Sequence, residues 1–193
     1  MLELALSLCL GIGLSAACGF RIFVPLLGMS AAALADHLTL ATGFEWIGTW
    51  PAFGCFLTAT ILEIGAYYIP WLDNALDGLA TPAAFVAGTL ITAAAITDTS
   101  PLLQWSLAAI AGGGTAGGIQ TTTTLLRGAS STTTGGFGNF LVATGELILS
   151  VFTTVLAIVL PILCAVLVAL FSALFLLWFA TRRKVARASR AMK

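Results

Sequence analysis

Residues 140–181 read FLVATGELILSVFTTVLAIVLPILCAVLVALFSALFLLWFAT, an apolar run that carries one charged residue, Glu146. As a single helix it would be about 63 Å long at 1.5 Å per residue, twice the roughly 30 Å hydrocarbon core of a bilayer. It must fold back on itself. Leu160-Pro161 is the natural turn, because proline lacks the N–H that a continuing helix needs. Two spans follow, 140–159 and 162–181.

The charges just outside this run give it a direction. Six of the eight Lys and Arg residues (Arg182, Arg183, Lys184, Arg187, Arg190 and Lys193) follow it directly. By the positive-inside rule such a tail lies in the cytoplasm. Contact with lipid headgroups accounts for these charges without a nucleic acid partner. Residues 1–181 form one integral-membrane helical domain, and 182–193 form the basic cytoplasmic tail. The whole composition agrees: hydrophobic residues are 59% and charged residues 8%, with a mean hydropathy of +1.05. A soluble domain averages roughly 45–50% and about 25%. That excludes a water-facing globule.

Upstream of 140, four more spans are predicted. The first is irregular: 2–18 runs into Gly19, Arg21 and Pro25, which break a helix before the apolar stretch resumes to Ala35. Met1-Leu2-Glu3-Leu4 lacks a basic leader, so this segment reads as an uncleaved membrane helix. Residues 36–50 read as an interfacial connection with Trp46 and Trp50 at headgroup depth. Spans at 51–69, 82–98 and 102–118 come next, the third beginning at Pro82. The expected fold is an all-α polytopic bundle of about six spans with broken or re-entrant segments near 17–35 and 117–139. Six spans place both termini in the cytoplasm.

Residues 112–118, Gly-Gly-Gly-Thr-Ala-Gly-Gly, hold the small-xxx-small pairs Gly113/Gly117 and Gly114/Gly118. Such pairs let helices touch closely, and they predict a homo-oligomer, most simply a dimer. The following stretch, 119–139, is rich in threonine and contains Thr121, Thr124, Arg127 and Asn139.

Ionisable groups inside a membrane are costly and mark function by default. Arg21, Glu63, Arg127 and Glu146 qualify. Two arginines and two glutamates can pair structurally or build a polar pathway. Each half has an Arg among small residues and a later Glu, which resembles an inverted repeat of the transporter kind. Asp73 and Asp77, one helical turn apart, could form an acidic mouth or a solvated face. His37 is the one histidine, and Cys9, Cys18, Cys55 and Cys164 stand singly in apolar stretches. No nucleophile–base pair, zinc spacing, P-loop or dinucleotide motif occurs, so no enzyme, metal or cofactor is expected.

Gly19-x-Arg21-x3-Pro25, then Glu63-x6-Pro70-x2-Asp73-x3-Asp77-x4-Pro82, then Arg127 with Asn139 and Glu146 resembles the bacterial integral-membrane family catalogued as domain of unknown function 4126. Two positions depart from that pattern. A basic residue usual before Arg127 falls in the Thr121–Thr124 run, and Leu147 stands where an acid is usual. The resemblance implies that Arg21, Glu63, Asp73, Asp77, Arg127 and Glu146 belong to one design in a bacterial inner membrane. The leading functional expectation is a small secondary transporter or channel for an ion or small polar solute. Its substrate-contacting residues would be these six with Asn139, Thr121 and Thr124, around a wet cavity. The alternative is a non-transporting scaffold or assembly factor that docks a partner through its Gly-rich helix. Membrane lipid is a partner in either case.

Overall fold

The computed structural model describes residues 2–66, 69–134 and 138–191, without the side chains of 70–77, 129, 131, 133–134, 176, 178–180 and 182–191. The described residues form helices and no strand. In chain order these are α1 (Leu2–Cys18), α2 (Phe23–Leu34), a 3₁₀ turn (Glu45–Gly48), α3 (Trp50–Ala66) and α4 (Pro70–Ala95). They continue with α5 (Pro101–Leu107), a π-helical segment (Ala108–Gly113), α6 (Gly114–Thr134), α7 (Asn139–Val159) and α8 (Pro161–Ala191). α5, the π segment and α6 make one continuous rod. α7 stops at Leu160, whose extended backbone (φ −136°, ψ 67°) turns the chain into Pro161.

Glycines decide how closely the helices meet. Ser15 on α1 donates from Oγ to the Gly88 carbonyl at 2.8 Å and lies 2.8 Å from Thr92 Oγ1, both on α4. A Cβ on Gly88 would stand 2.9 Å from the carbonyl oxygen of Gly112. One on Gly112 would overlap Thr92 Oγ1 and the Gly88 carbonyl. The wide π turn sits at this crossing, where its buried residues Ala108, Gly112 and Gly113 carry at most a methyl group and Ile110 faces outward.

One end of the bundle gathers Glu3, His37, Thr39, Thr97, Asp98 and Pro161 around a 450 Å³ cavity. It therefore holds the start of α1, the segment after α2, the end of α4 and the α7–α8 turn. The 3₁₀ turn belongs to the same end, since Ala41 N donates to the Ala94 carbonyl at 2.8 Å. Arg21, Arg127 and Glu146 meet away from that end, and Glu63 reaches the same hairpin turn through Ile22 N. α1 and α2 are thus an antiparallel hairpin that enters and leaves on one side. α3, α4, the α5–α6 rod, α7 and α8 then alternate in direction.

Several expectations change. Seven legs, an odd number, put the start of α1 and the end of α8 at opposite ends of the bundle, whereas six spans would bring them to one end. The physical reason is the turn at Gly19–Ile22, which reverses the chain instead of resuming the first span. Among the described residues, two stretches, Gly78–Ala95 and Asn139–Val159, are long and apolar enough to cross a membrane. Leu2–Cys18, Phe23–Leu34 and Trp50–Ala66 are apolar but shorter, so six full spans are not confirmed. Pro82 does not open a helix; it lies inside α4, which starts at Pro70. The expected break within 117–139 is absent across 117–134, where α6 is continuous. Thr121 and Thr122 each return a hydroxyl hydrogen bond to the carbonyl four residues back, at 2.7 and 2.9 Å. Arg21 sits in a turn and Arg127 inside a helix, so the likeness of the two halves stops at composition.

Candidate functional site

The hairpin turn places Arg21 inside the bundle. Gly19 has no Cβ, and one there would stand 2.8 Å from the Ala116 carbonyl oxygen on α6. That close approach brings the turn against α6, which carries Arg127 three turns further on. Arg21 and Arg127 are 2% and 1% exposed, and Glu146 on α7 is 4% exposed. Arg127 donates from Nε to Glu146 Oε1 at 3.0 Å and from Nη2 to Oε2. Arg21 Nη2 donates to the Ala143 carbonyl at 2.8 Å and stands 3.7 Å from Glu146 Oε2. One carboxylate thus serves two guanidiniums. Glu146 lies about 20 Å from the last residue of α7 at 1.5 Å per residue, deep between the ends of the bundle.

Glu63, near the end of α3, does something different. α2 has no side-chain cap of its own at Ile22. Glu63 supplies one from another helix: Oε1 accepts from Ile22 N at 2.8 Å and Oε2 from Phe23 N at 3.1 Å. These N–H groups are the unsatisfied donors of a helix start, where a negative charge is stabilised. The charges of Arg21 and Arg127 also act on this carboxylate. Glu63 is half-buried and lines a 490 Å³ cleft with Ile22, Phe23, Ala59, Leu62 and Leu79. The other three charged residues do not line it.

The remaining expected residues divide. On α6, Thr124 and Arg127 are one turn apart and share a face with Gln120 and Thr123. Gln120 is 1% exposed and Thr123 5%. Thr121 points to the exposed side of α6 and lines a 540 Å³ groove with Pro82 and Phe85 instead. Asn139 begins α7 two turns before Glu146. The side chains of Asp73 and Asp77 lie outside the described residues. Sequence reasoning missed Gln120, Ser150 and Thr154 and named Thr123 only as part of the Thr121–Thr124 run. The signal was present: Gln120 and Thr123 precede Arg127 by seven and four residues, and Ser150 and Thr154 follow Glu146 by four and eight. Helical period puts each set on one stripe. Ser150 donates from Oγ to the Ala17 carbonyl at 2.9 Å, tying that stripe to the end of α1.

Among the described residues, no group of three or more His, Cys, Asp or Glu is placed to hold a metal. The four cysteines are free thiols. The exterior is apolar: Leu102, Ile110 and Leu141 are 82%, 77% and 72% exposed.

Such a molecule is an all-α bundle with apolar helices outside and an ionic cluster within. The chain belongs to the family described as Domain of unknown function (DUF4126), whose model matches residues 8–182. No curated protein and no solved structure matches it.

Proposed function

We propose that this protein is a multi-pass protein of the bacterial inner membrane that moves an ion or small polar solute, with Glu63 at the solute's path. The observation that carries this is the half-buried Glu63 carboxylate at a 490 Å³ cleft, held by the backbone N–H groups of Ile22 and Phe23. A broken helix whose N–H groups meet a charged group inside an apolar bundle is a transporter's way of replacing a hydration shell. In this reading α1 and α2 are a re-entrant hairpin, and α3, α4, α5–α6, α7 and α8 are five crossings. The acids Glu3, Asp36, Glu45 and Asp98 gather at the end where no Lys or Arg stands, and the basic run forms the last turns of α8, toward the other. The basic end is cytoplasmic by the positive-inside rule, and the start of α1 is on the opposite face. Reporter fusions before residue 2 and after 193 should report outside and inside; the same side for both would overturn the hairpin.

The functional test is flux in liposomes over a panel of ions and small acids, with protein-free vesicles subtracted. Glu63→Gln and Arg127→Gln are measured beside the parent. Lost flux in a folded Glu63→Gln protein supports the pathway. No flux from the parent for any solute sinks it. The second reading, a scaffold, draws on Gly114 and Gly118, where an added Cβ would meet nothing within 4 Å. That open face beside Phe171 and Phe175 of α8 would receive a partner helix, most simply from a second copy of this chain.

A further inference from the structure

Along the rod from α5 to α6, Gln104, Ala108, Gly112, Ala116 and Gln120 face the bundle, each four residues after the last. A step of four overshoots an α-helical turn by about 40°. Four such steps would carry the stripe about 160° around, to the outer face. A turn with i→i+5 hydrogen bonds takes up one residue more, which returns about 100° of this. The π segment, Ala108–Gly113, lies in the middle of the stripe. Past Gln120 the spacing is ordinary, with Thr123 and Arg127 three and seven residues on.

Side chains tie the rod at both ends. At one, Gln104 Nε2 donates to the Ala93 and Ile96 carbonyls at 2.8 and 3.1 Å, where α4 ends and its last carbonyls need donors. At the other, Arg127 is bonded to Glu146. Between them Gly112 stands in a place that takes no Cβ, since one there would overlap Thr92 Oγ1 and the Gly88 carbonyl. An unbroken α-helix could not meet all three demands. With α5 held, each later place would be filled by the preceding residue. Ala111 would then enter the place of Gly112, and Leu126 that of Arg127. With α6 held instead, Trp105 would take the place of Gln104 and α4 would lose its cap.

We propose that the π segment is a phase-setting device. It is one residue in excess of an α-helix, kept between Ala108 and Gly113 because only glycine fits the crossing with α4. It lets a single rod cap α4 with Gln104 and deliver Arg127 to Glu146. The device rests on neither the transport nor the scaffold reading, since either needs the ionic cluster assembled.

The experiment is a pair of single-residue deletions in the full chain, read by melting and by the monodisperse peak in detergent. Ile110 lies within the π segment and is 77% exposed, and Gly118 lies on the open face of α6, where an added Cβ meets nothing within 4 Å. Neither deletion removes a buried side chain. Deleting Ile110 should turn the segment into plain α-helix with Gln104, Gly112 and Arg127 all in place, and the protein should melt within about 4 °C of the parent. Glu146→Ala should then be as damaging in that background as in the parent. Deleting Gly118 leaves two poor choices. The rod can keep the π turn and swing Arg127 about 100° away from Glu146. Or it can drop the turn and bring Ala111 to the place of Gly112, with Thr115 in the buried place of Ala116 against Gly88. That protein should lose its monodisperse peak or melt more than about 10 °C lower, as for a broken buried ion pair. Adding Ala111→Gly and Thr115→Ala to the Gly118 deletion should recover most of the loss, because the second choice is then open. Equal behaviour of the two deletions overturns the proposal. So does a Gly118 deletion that the two substitutions leave unimproved, or an Ile110 deletion in which Glu146→Ala has become harmless.

Discussion

Glu146 and Glu63 stand in the same bundle, both near Arg21 and Arg127, yet the regions around them are built to different ends. Around Glu146, α6, α7 and the α1–α2 turn close until all three side chains are 4% exposed or less. Its carboxylate is engaged by two guanidiniums. Around Glu63, α2, α3 and α4 leave a cleft, and the carboxylate is held by two backbone N–H groups. Backbone donors hold a carboxylate without adding a formal charge, so its loss frees two N–H groups but strands no partner charge on them. Two guanidiniums on one carboxylate form a lock: removing the carboxylate strands two buried charges. The first region reads as a closed lock, the second as a helix cap beside an open cleft.

The largest expected effect tests the lock. Glu146→Ala leaves two buried arginines without their carboxylate. Breaking a buried pair in this way costs about 3–5 kcal/mol. The variant should lose its monodisperse peak in detergent or unfold at much lower denaturant. Replacing Arg127 and Glu146 together by Leu should recover part of the loss, because fewer uncompensated charges remain. A stable Glu146→Ala protein would erase the distinction between the two glutamates.

A second test compares glycines inside the α5–α6 rod. A Cβ on Gly112 would overlap Thr92 and the Gly88 carbonyl, and backbone cannot step aside cheaply. Gly112→Ala should cost about 1–3 kcal/mol by overpacking. Gly114→Ala, two residues on, meets open space. It should be neutral or gain up to about 1 kcal/mol from helix propensity. Thermal unfolding of the two variants side by side checks this.

Glu63→Ala should be milder than Glu146→Ala. It removes a helix cap, at about 0.5–2 kcal/mol, and leaves the Arg127–Glu146 pair in place. Equal destabilisation by Glu63→Ala and Glu146→Ala would mean that Glu63 is as locked as Glu146.

Much of this was legible in the chain, for identifiable reasons. The α7–α8 turn follows from Pro161, and the break at Arg21 follows from Gly19 and Pro25 beside it. Charged residues in apolar runs pointed to Arg21, Glu63, Arg127 and Glu146. What they touch was not legible. Charge arithmetic pairs each Arg with a Glu, but the donors that hold Glu63 are backbone N–H groups, exposed only because a helix starts there. The hairpin was hidden for a related reason: composition marks a break at Gly19–Ile22, while the angle of the turn depends on packing against α6. The continuity of α6 was missed because threonine and glycine weaken a helix in isolation. Here the Thr121 and Thr122 hydroxyls bond to carbonyls of their own helix. Pro82 misled for the opposite reason, since packing carries α4 through it.

The smallest expected change in stability carries the scaffold reading. Gly114 and Gly118 are one turn apart on α6, and an added Cβ at either meets nothing within 4 Å. Both line a 410 Å³ groove between the rod and α8, with Phe171 and Phe175 across it. Within one protomer the groove has room, so Gly114→Leu with Gly118→Leu should change stability by no more than about 0.5 kcal/mol, as for surface sites. Between protomers the same leucines would hold two helix backbones apart where small residues let them meet. If the protein forms a dimer through this face, its mass in detergent should fall to that of one chain while its unfolding curve stays in place. A retained dimer would put the contact elsewhere. A collapse of stability with no change in mass would show that the groove closes within the protomer, and α6 would then have no free glycine face to offer a partner.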